Sequence, residues 1–97
     1  MEFLIILGIK RSTINIIEQN PSFVFDLTAN KEECSRIISY LKLIGVKNID
    51  SLILYKQDLF LKTKDEVSSL FNNFEIRNIV DKINKDITNI DLLFESE

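Results

Sequence analysis

The sequence predicts an all-α fold, a short right-handed-type α-solenoid of about two and a half repeats, each built from a helix, a 3₁₀ turn and a second helix. The first of three observations behind this prediction is a phrase that recurs as LIILGIK at residues 4–10, LKLIGVK at 41–47 and, more faintly, LFNNFEIR at 70–77. The second is that other apolar residues are spaced as on one face of a helix. The third is that two glycines and one proline leave little material for β-turns.

The repeats divide a single predicted domain, residues 1–97, into units of approximately 9–45 and 46–75 and a partial unit at 76–97. In the first two copies of the phrase, Gly8 and Gly45 are expected to adopt the left-handed conformation that ends a helix. Glu75 takes this place in the third copy. We therefore expect the array to depart from regular stacking there.

The first unit is predicted to begin with a short helix that runs from Ser12 or Thr13 to Asn20 and ends because Pro21 follows it. Residues 22–27 are then expected to form a compact apolar turn of 3₁₀ type. A brief alternation of apolar residues in this stretch is too short to favour a β-strand.

A longer helix is predicted next, because Asn30 and Glu33 have the spacing of a capping box. Its apolar face consists of five residues, Cys34, Ile37, Ile38, Leu41 and Ile44.

The second unit repeats this plan, and a third unit begins in the same way. A short helix around Ile49 and Ile53 is followed by an apolar turn at 59–61 and by a capping box from Thr63 to Glu66. The later apolar faces are predicted to consist of Val67, Leu70, Phe71 and Phe74, and then of Ile76, Ile79, Val80 and Ile83. Residues 88–94 correspond to a further apolar turn.

Four stretches of this chain resemble the mitochondrial transcription termination factor (mTERF) family: NPSFVFDL at 20–27, YLKLIGV at 40–46, IDSLI at 49–53 and DLFL at 58–61. In that family each repeat is two helices and a 3₁₀ turn, with a proline before a pair of large apolar residues and a "leucine, any, any, leucine, glycine" ending. The resemblance implies a helical-repeat fold and a nucleic-acid-binding function.

The charge distribution gives no general attraction for nucleic acid. Residues 1–87 hold twelve basic and twelve acidic side chains, so the net charge of −3 comes from Asp91, Glu95 and Glu97. The apolar start at 3–7 is too short to cross a bilayer and runs into Lys10. We therefore expect a cytoplasmic protein with no membrane partner.

A basic residue ends the phrase in every unit, at Lys10, Lys47 and Arg77. Equivalent positions of stacked repeats line up, and each of these would lie near a helix N-terminus, where free N–H groups favour anions. With Arg11 they could form a stripe that follows a phosphate backbone. The alternative interpretation, which is the more common role of such residues, is that they solvate a loop.

No pattern in the sequence indicates an enzyme, a metal site or a cofactor. The chain has no histidine, one cysteine, no glycine-rich phosphate loop and no carboxylate pair at metal or acid–base spacing. Cys34 lacks a histidine base, and the neighbouring Glu32 and Glu33 would raise the pKa of its thiol. The seven phenylalanines, Phe25 among them, are expected to pack in the core.

The sequence therefore favours a non-catalytic interaction module that presents one face to a macromolecular partner. The apolar run at 3–7 and the C-terminal Ile90, Leu92, Leu93 and Phe94 either fold back as caps of the array or meet another chain. The second case predicts a protein partner or a homodimer. The alternative is an mTERF-like protein that binds nucleic acid through the basic stripe, which the pI near 5.0 opposes.

Overall fold

A computed structural model describes residues 1–95, which form α-helices and two 3₁₀ helices and contain no strand. The prediction of an all-α fold is confirmed. The elements in chain order are α1 (Glu2–Ile6), α2 (Arg11–Ile17), α3 (Pro21–Ala29), α4 (Lys31–Leu43), α5 (Ile49–Tyr55), the 3₁₀ helix η1 (Gln57–Leu61), α6 (Lys64–Asn72), α7 (Ile76–Lys85), the 3₁₀ helix η2 (Ile87–Ile90) and α8 (Asp91–Glu95).

Both glycines end a helix in the predicted left-handed conformation, with φ of +95° at Gly8 and +100° at Gly45. After α1, the Ile9 N–H donates to the Leu4 carbonyl at 2.9 Å. After α4, the Val46 N–H donates to the Leu41 carbonyl, also at 2.9 Å. These are Schellman motifs, in which the residue after the glycine packs its side chain back onto the helix it has just left.

The connection between α6 and α7 is built differently. Glu75 has an extended backbone with φ of −73°, and its side chain caps α7 by accepting from the Asn78 N–H at 2.9 Å. A capping carboxylate therefore replaces the left-handed turn at the position where the phrase loses its glycine.

The first two units pack with like elements side by side. The structure places α2 against α5, α3 against η1 and α4 against α6, while α1 packs against α4. The third unit continues this pattern only in part, because α6 packs against α8 as α4 packs against α6, whereas α5 packs on η2 and α6 also contacts α7. Buried apolar side chains come from every helix, and the radius of gyration of 12.7 Å is that of a compact chain of this length.

The prediction of a 3₁₀ turn at residues 22–27 is wrong, because α3 is a nine-residue α-helix. The preceding helix ends at Ile17, before the predicted end at Asn20, and Pro21 lies in the first turn of α3, where its fixed φ and missing N–H suit a helix start. The Asn20 side chain completes the cap by accepting from the Phe23 N–H at 3.3 Å. The equivalent segment of the second unit, η1, is the 3₁₀ helix that the sequence predicts.

One of the two predicted capping boxes is also wrong. The side chain of Asn30 makes no capping bond, and its Nδ2 donates instead to the carbonyls of Phe60 at 3.4 Å and Lys62 at 3.1 Å. Glu33 accepts from the Lys64 N–H at 2.8 Å. Both side chains thus connect α4 to the next unit, whereas the capping box of Thr63 and Glu66 is confirmed.

The apolar segments at the two ends fold onto the body of the protein. Leu4, Ile90 and Leu93 are fully buried. Residues 88–94, predicted as a turn, are divided between η2 and α8. Leu93 is therefore a core residue and not a free dimer contact, and Glu97, which contributes to the predicted acidic excess, lies outside the described residues.

Candidate interaction surface

The structure brings Lys10 and Lys47 to adjoining loops. Lys10 is the N-cap of α2, and its N–H donates to Asp50, three residues beyond Lys47, at 2.8 Å. The Lys47 N–H donates to Asn84 Oδ1 at 2.9 Å. Both lysine side chains are exposed, but each backbone donor is already bonded within the protein, so neither amide is free for a phosphate.

Arg77 lies apart from this pair, whereas Arg11 directly follows Lys10. Arg77 lies in the first turn of α7, whereas Lys47 meets Asn84, seven residues or roughly 10 Å further along that helix. Arg11 lies 3.9 Å from Glu2, and both side chains are mostly exposed. Such surface ion pairs contribute little to stability.

An open groove lies on the outer side of α4, and sequence reasoning missed it. This α4 groove has a volume of about 790 Å³, and most of the surface that its lining residues expose in it belongs to apolar atoms. The lining residues are Ser35, Arg36, Ser39, Tyr40, Leu43 and Lys64. Leu43 is 83% exposed. A helical projection could have found it, because nine residues at 100° place Leu43 about half a turn from the buried Cys34.

Aromatic and cationic contacts hold the floor of the α4 groove in place. The Tyr40 ring packs edge-to-face on the buried Phe71, with centroids 5.9 Å apart. Lys64 Nζ lies 5.3 Å from the centre of the Tyr40 ring, which is within cation–π range. Burial raises the pKa of the Tyr40 hydroxyl, so this residue stays neutral at physiological pH.

Positive charge flanks the α4 groove. Arg36 pairs with Glu33, whose other oxygen accepts from the Lys64 N–H. The Lys64 hydrogen bond, followed by the contacts with Arg36, lowers the pKa of the Glu33 carboxyl. The cations Arg36 and Lys64 thus lie beside an apolar floor, and the carboxylate of Glu33 is bonded within the protein.

A second depression lies on α3 and has the opposite charge character. This α3 face has a volume of about 460 Å³ and is lined by Glu18, Pro21, Val24, Phe25 and Thr28. Phe25 is 73% exposed, so the expectation that it packs in the core is wrong. It lies two residues from the buried Phe23, on the opposite side of α3.

Cys34 is fully buried, and burial raises the pKa of its thiol to about 12. The expected direction is confirmed, but the cause is desolvation and not the neighbouring glutamates. Among residues 1–95, no three acidic, cysteine or histidine side chains converge as metal ligands would.

The helices between residues 1 and 95 are each too short or too polar to span a membrane. A scan against protein-family models and searches of curated proteins and of solved structures found no match to this chain.

Proposed function

We propose that this protein is a non-catalytic interaction module that binds a macromolecular partner through the α4 groove. One observation carries the proposal: α4 buries one side completely and presents on the other an apolar groove that ends at the exposed Leu43. Isolated exposed aliphatic residues are ordinary on protein surfaces. Leu43, however, adjoins the half-buried Tyr40 in a depression large enough to accept side chains from a partner.

A short right-handed-type α-solenoid with mTERF-like repeats is the architecture we propose for this module. The side-by-side packing of α2 with α5 and of α4 with α6 supports stacking of the first two units. The matching Schellman motifs at Gly8 and Gly45 support equivalent unit boundaries. The third unit is the irregular end of this array.

The hydrogen bonds of four carboxyls and the burial of the one thiol support a non-catalytic role. Side-chain or backbone hydrogen bonds lower the pKa of four carboxyls, which belong to Glu33, Glu66, Asp86 and Asp91. These groups act as ionised acceptors at neutral pH. The buried thiol of Cys34 stays protonated, and protonated thiols are poor nucleophiles.

Photo-crosslinking from the α4 groove tests this function. A benzoylphenylalanine placed at Ser39, which lines the groove, should capture a defined partner in native lysate. The matched control is the same probe at Ser69, an exposed serine on α6. The capture should be lost when Leu43→Ser is added, and identical products from both positions would contradict the proposal.

Nucleic-acid binding is the second candidate, and the exposed Lys10 and Lys47 in adjoining, repeat-equivalent loops favour it. Charge reversal of Lys10, Arg11, Lys47 and Arg77 should then weaken binding to DNA or RNA and reduce its salt dependence. The matched control reverses Lys82 and Lys85 on α7. Fluorescence anisotropy measures both, and unchanged binding in the first variant removes this candidate.

A further inference from the structure

We infer that the α4 groove receives the α3 face of a second copy of this chain, so that the protein associates with itself head to tail. The inference rests on the proposed function, since it names the occupant of the same groove. It joins two different surfaces of the molecule, which differ in shape and in charge.

The shapes of the two surfaces correspond. On the α3 face, the Phe25 ring protrudes with 73% of its area exposed. The α4 groove offers a depression of about 790 Å³ with an aromatic floor at Tyr40 and an aliphatic end at Leu43. An aromatic side chain that enters an apolar pocket is the usual centre of a protein interface.

The charges of the two surfaces are complementary. Residues 12–30, which include α3, contain two acidic side chains, Glu18 and Asp26, and no basic one. The charged side chains that line the α4 groove are both basic, Arg36 and Lys64, and Arg36 is paired with Glu33. Glu18 lines the α3 face, and Lys64 lines the α4 groove, so docking would place opposite charges around the buried Phe25.

The geometry of such a contact determines the kind of assembly. Because the two surfaces share no residue, a docked pair retains one free α3 face and one free α4 groove. A heterologous contact of this kind grows into rings or open chains, unlike a two-fold dimer. The average mass should therefore rise continuously with protein concentration up to about 1 mM.

Sedimentation equilibrium of the wild-type protein and two exposed-site variants tests the inference. Phe25→Ser removes the inserted ring, and Leu43→Ser removes the end of the groove; each should weaken self-association by about tenfold or more. Ile6→Ser is the matched control, since Ile6 is the repeat equivalent of Leu43, is 82% exposed and does not line the groove. Its association should equal that of the wild type.

Mixing the two variants gives the decisive result. The Phe25→Ser protein keeps an intact groove, and the Leu43→Ser protein keeps an intact α3 face. Together they should form a one-to-one heterodimer that does not grow further, which also shows that both variants are folded. Raising the ionic strength from about 0.1 M to about 1 M should weaken this heterodimer.

Each of three other results would overturn the inference. A wild-type protein that stays monomeric at about 1 mM rejects self-association, yet leaves the interaction module supported if Ser39 crosslinks to a different protein. Loss of association in Leu43→Ser with no rescue by mixing indicates a two-fold contact through the groove alone. Association that neither variant weakens rejects the second copy as the occupant of the groove.

Discussion

The thiol of Cys34 shows how burial changes the chemistry of one side chain. Its pKa rises from the ordinary 9.0 to about 12, so the folded protein holds this proton more tightly than the unfolded chain. The resulting stability is present below pH 9 and is lost as the pH rises toward the folded pKa. Relative to Cys34→Ala, we expect the free energy of unfolding of the wild type to fall by about 1.4 kcal/mol per pH unit above pH 9.

Urea unfolding at several pH values measures this difference, and the comparison with Cys34→Ala removes the titration of other groups. A difference between the two proteins that stays constant above pH 9 would mean that the thiol is not desolvated in the folded state.

Asn30 acts as a donor between units and not as a helix cap. Asn30→Asp keeps the shape and the capping oxygen but places a carboxylate against the carbonyls of Phe60 and Lys62. We expect a loss of about 1–3 kcal/mol in unfolding free energy, because a donor is removed from two part-buried acceptors.

The matched control for this prediction is Asn20→Asp. Asn20 uses its side-chain oxygen to accept from the Phe23 N–H, a role that aspartate fills equally well. Chemical denaturation of both variants is the measurement. Equal stability of the two would indicate that the Asn30 side chain caps α4 after all.

At the scale of elements, the end of α4 depends on one backbone conformation. Gly45 has φ of +100°, and a Cβ built there would meet Val80 Cγ1 at 3.7 Å, an ordinary contact. Gly45→Ala should therefore cost about 1–2 kcal/mol through the left-handed backbone alone and not through a clash.

Gly45→Asn separates the two explanations, because asparagine adopts the left-handed conformation more readily although its side chain is larger. Denaturant midpoints should rank the wild type above Gly45→Asn and Gly45→Asn above Gly45→Ala. The reverse order of the two variants would mean that space and not backbone conformation limits this site.

The molecule as a whole is joined across its units by ionised carboxylates. The Lys64 N–H, aided by Arg36, lowers the pKa of Glu33, and the Tyr55 hydroxyl, aided by Lys56, lowers that of Asp91. The Tyr55 Oη to Asp91 Oδ2 distance is 2.6 Å. Stability from these groups is present above their ordinary pKa values of 4.5 and 3.8 and is lost as the pH falls through the lowered folded values.

We therefore expect the urea midpoint of the wild type to fall on acidification below about pH 4.5. Glu33→Gln and Asp91→Asn should each be less stable than the wild type at pH 7 and should lose less stability in acid. Glu32→Gln, a change at the exposed neighbour of Glu33, is the control and should follow the wild type. Acid dependence that is unchanged in all three variants would exclude these links as its source.

Much of the helical structure was predictable because its signals are local. The residues expected on the inner side of α4, including Cys34 and Leu41, are buried, since helical spacing alone aligns them. The left-handed Gly45 and the capping box at Thr63 involve residues close together in sequence. The α3 helix was missed because Pro21 signals both the end of one helix and the start of another.

Only part of the candidate interaction surface could be predicted from the sequence. A projection of α4 shows Leu43 opposite the buried side, but only the packing of α4 against α6 brings Lys64 to the same groove. The exposure of Phe25 depends likewise on which side of α3 faces its neighbours. The carboxylate of Asp50 and the amide of Asn84 occupy the N–H groups of Lys10 and Lys47 through contacts across units.

The sequence by itself determined an all-helical chain, the glycines that end two of its helices and the apolar sides that helices such as α4 bury, because hydrogen bonds and side-chain spacing within a helix are local. Only the tertiary structure decided that Asn30 bridges units instead of capping α4 and that α5 packs on η2. It also decided that an apolar groove on α4 stays open beside two cations. The physical reason is that a polar side chain bonds whichever partner packing brings within reach, and that partner can lie thirty or more residues away, as Lys62 does from Asn30.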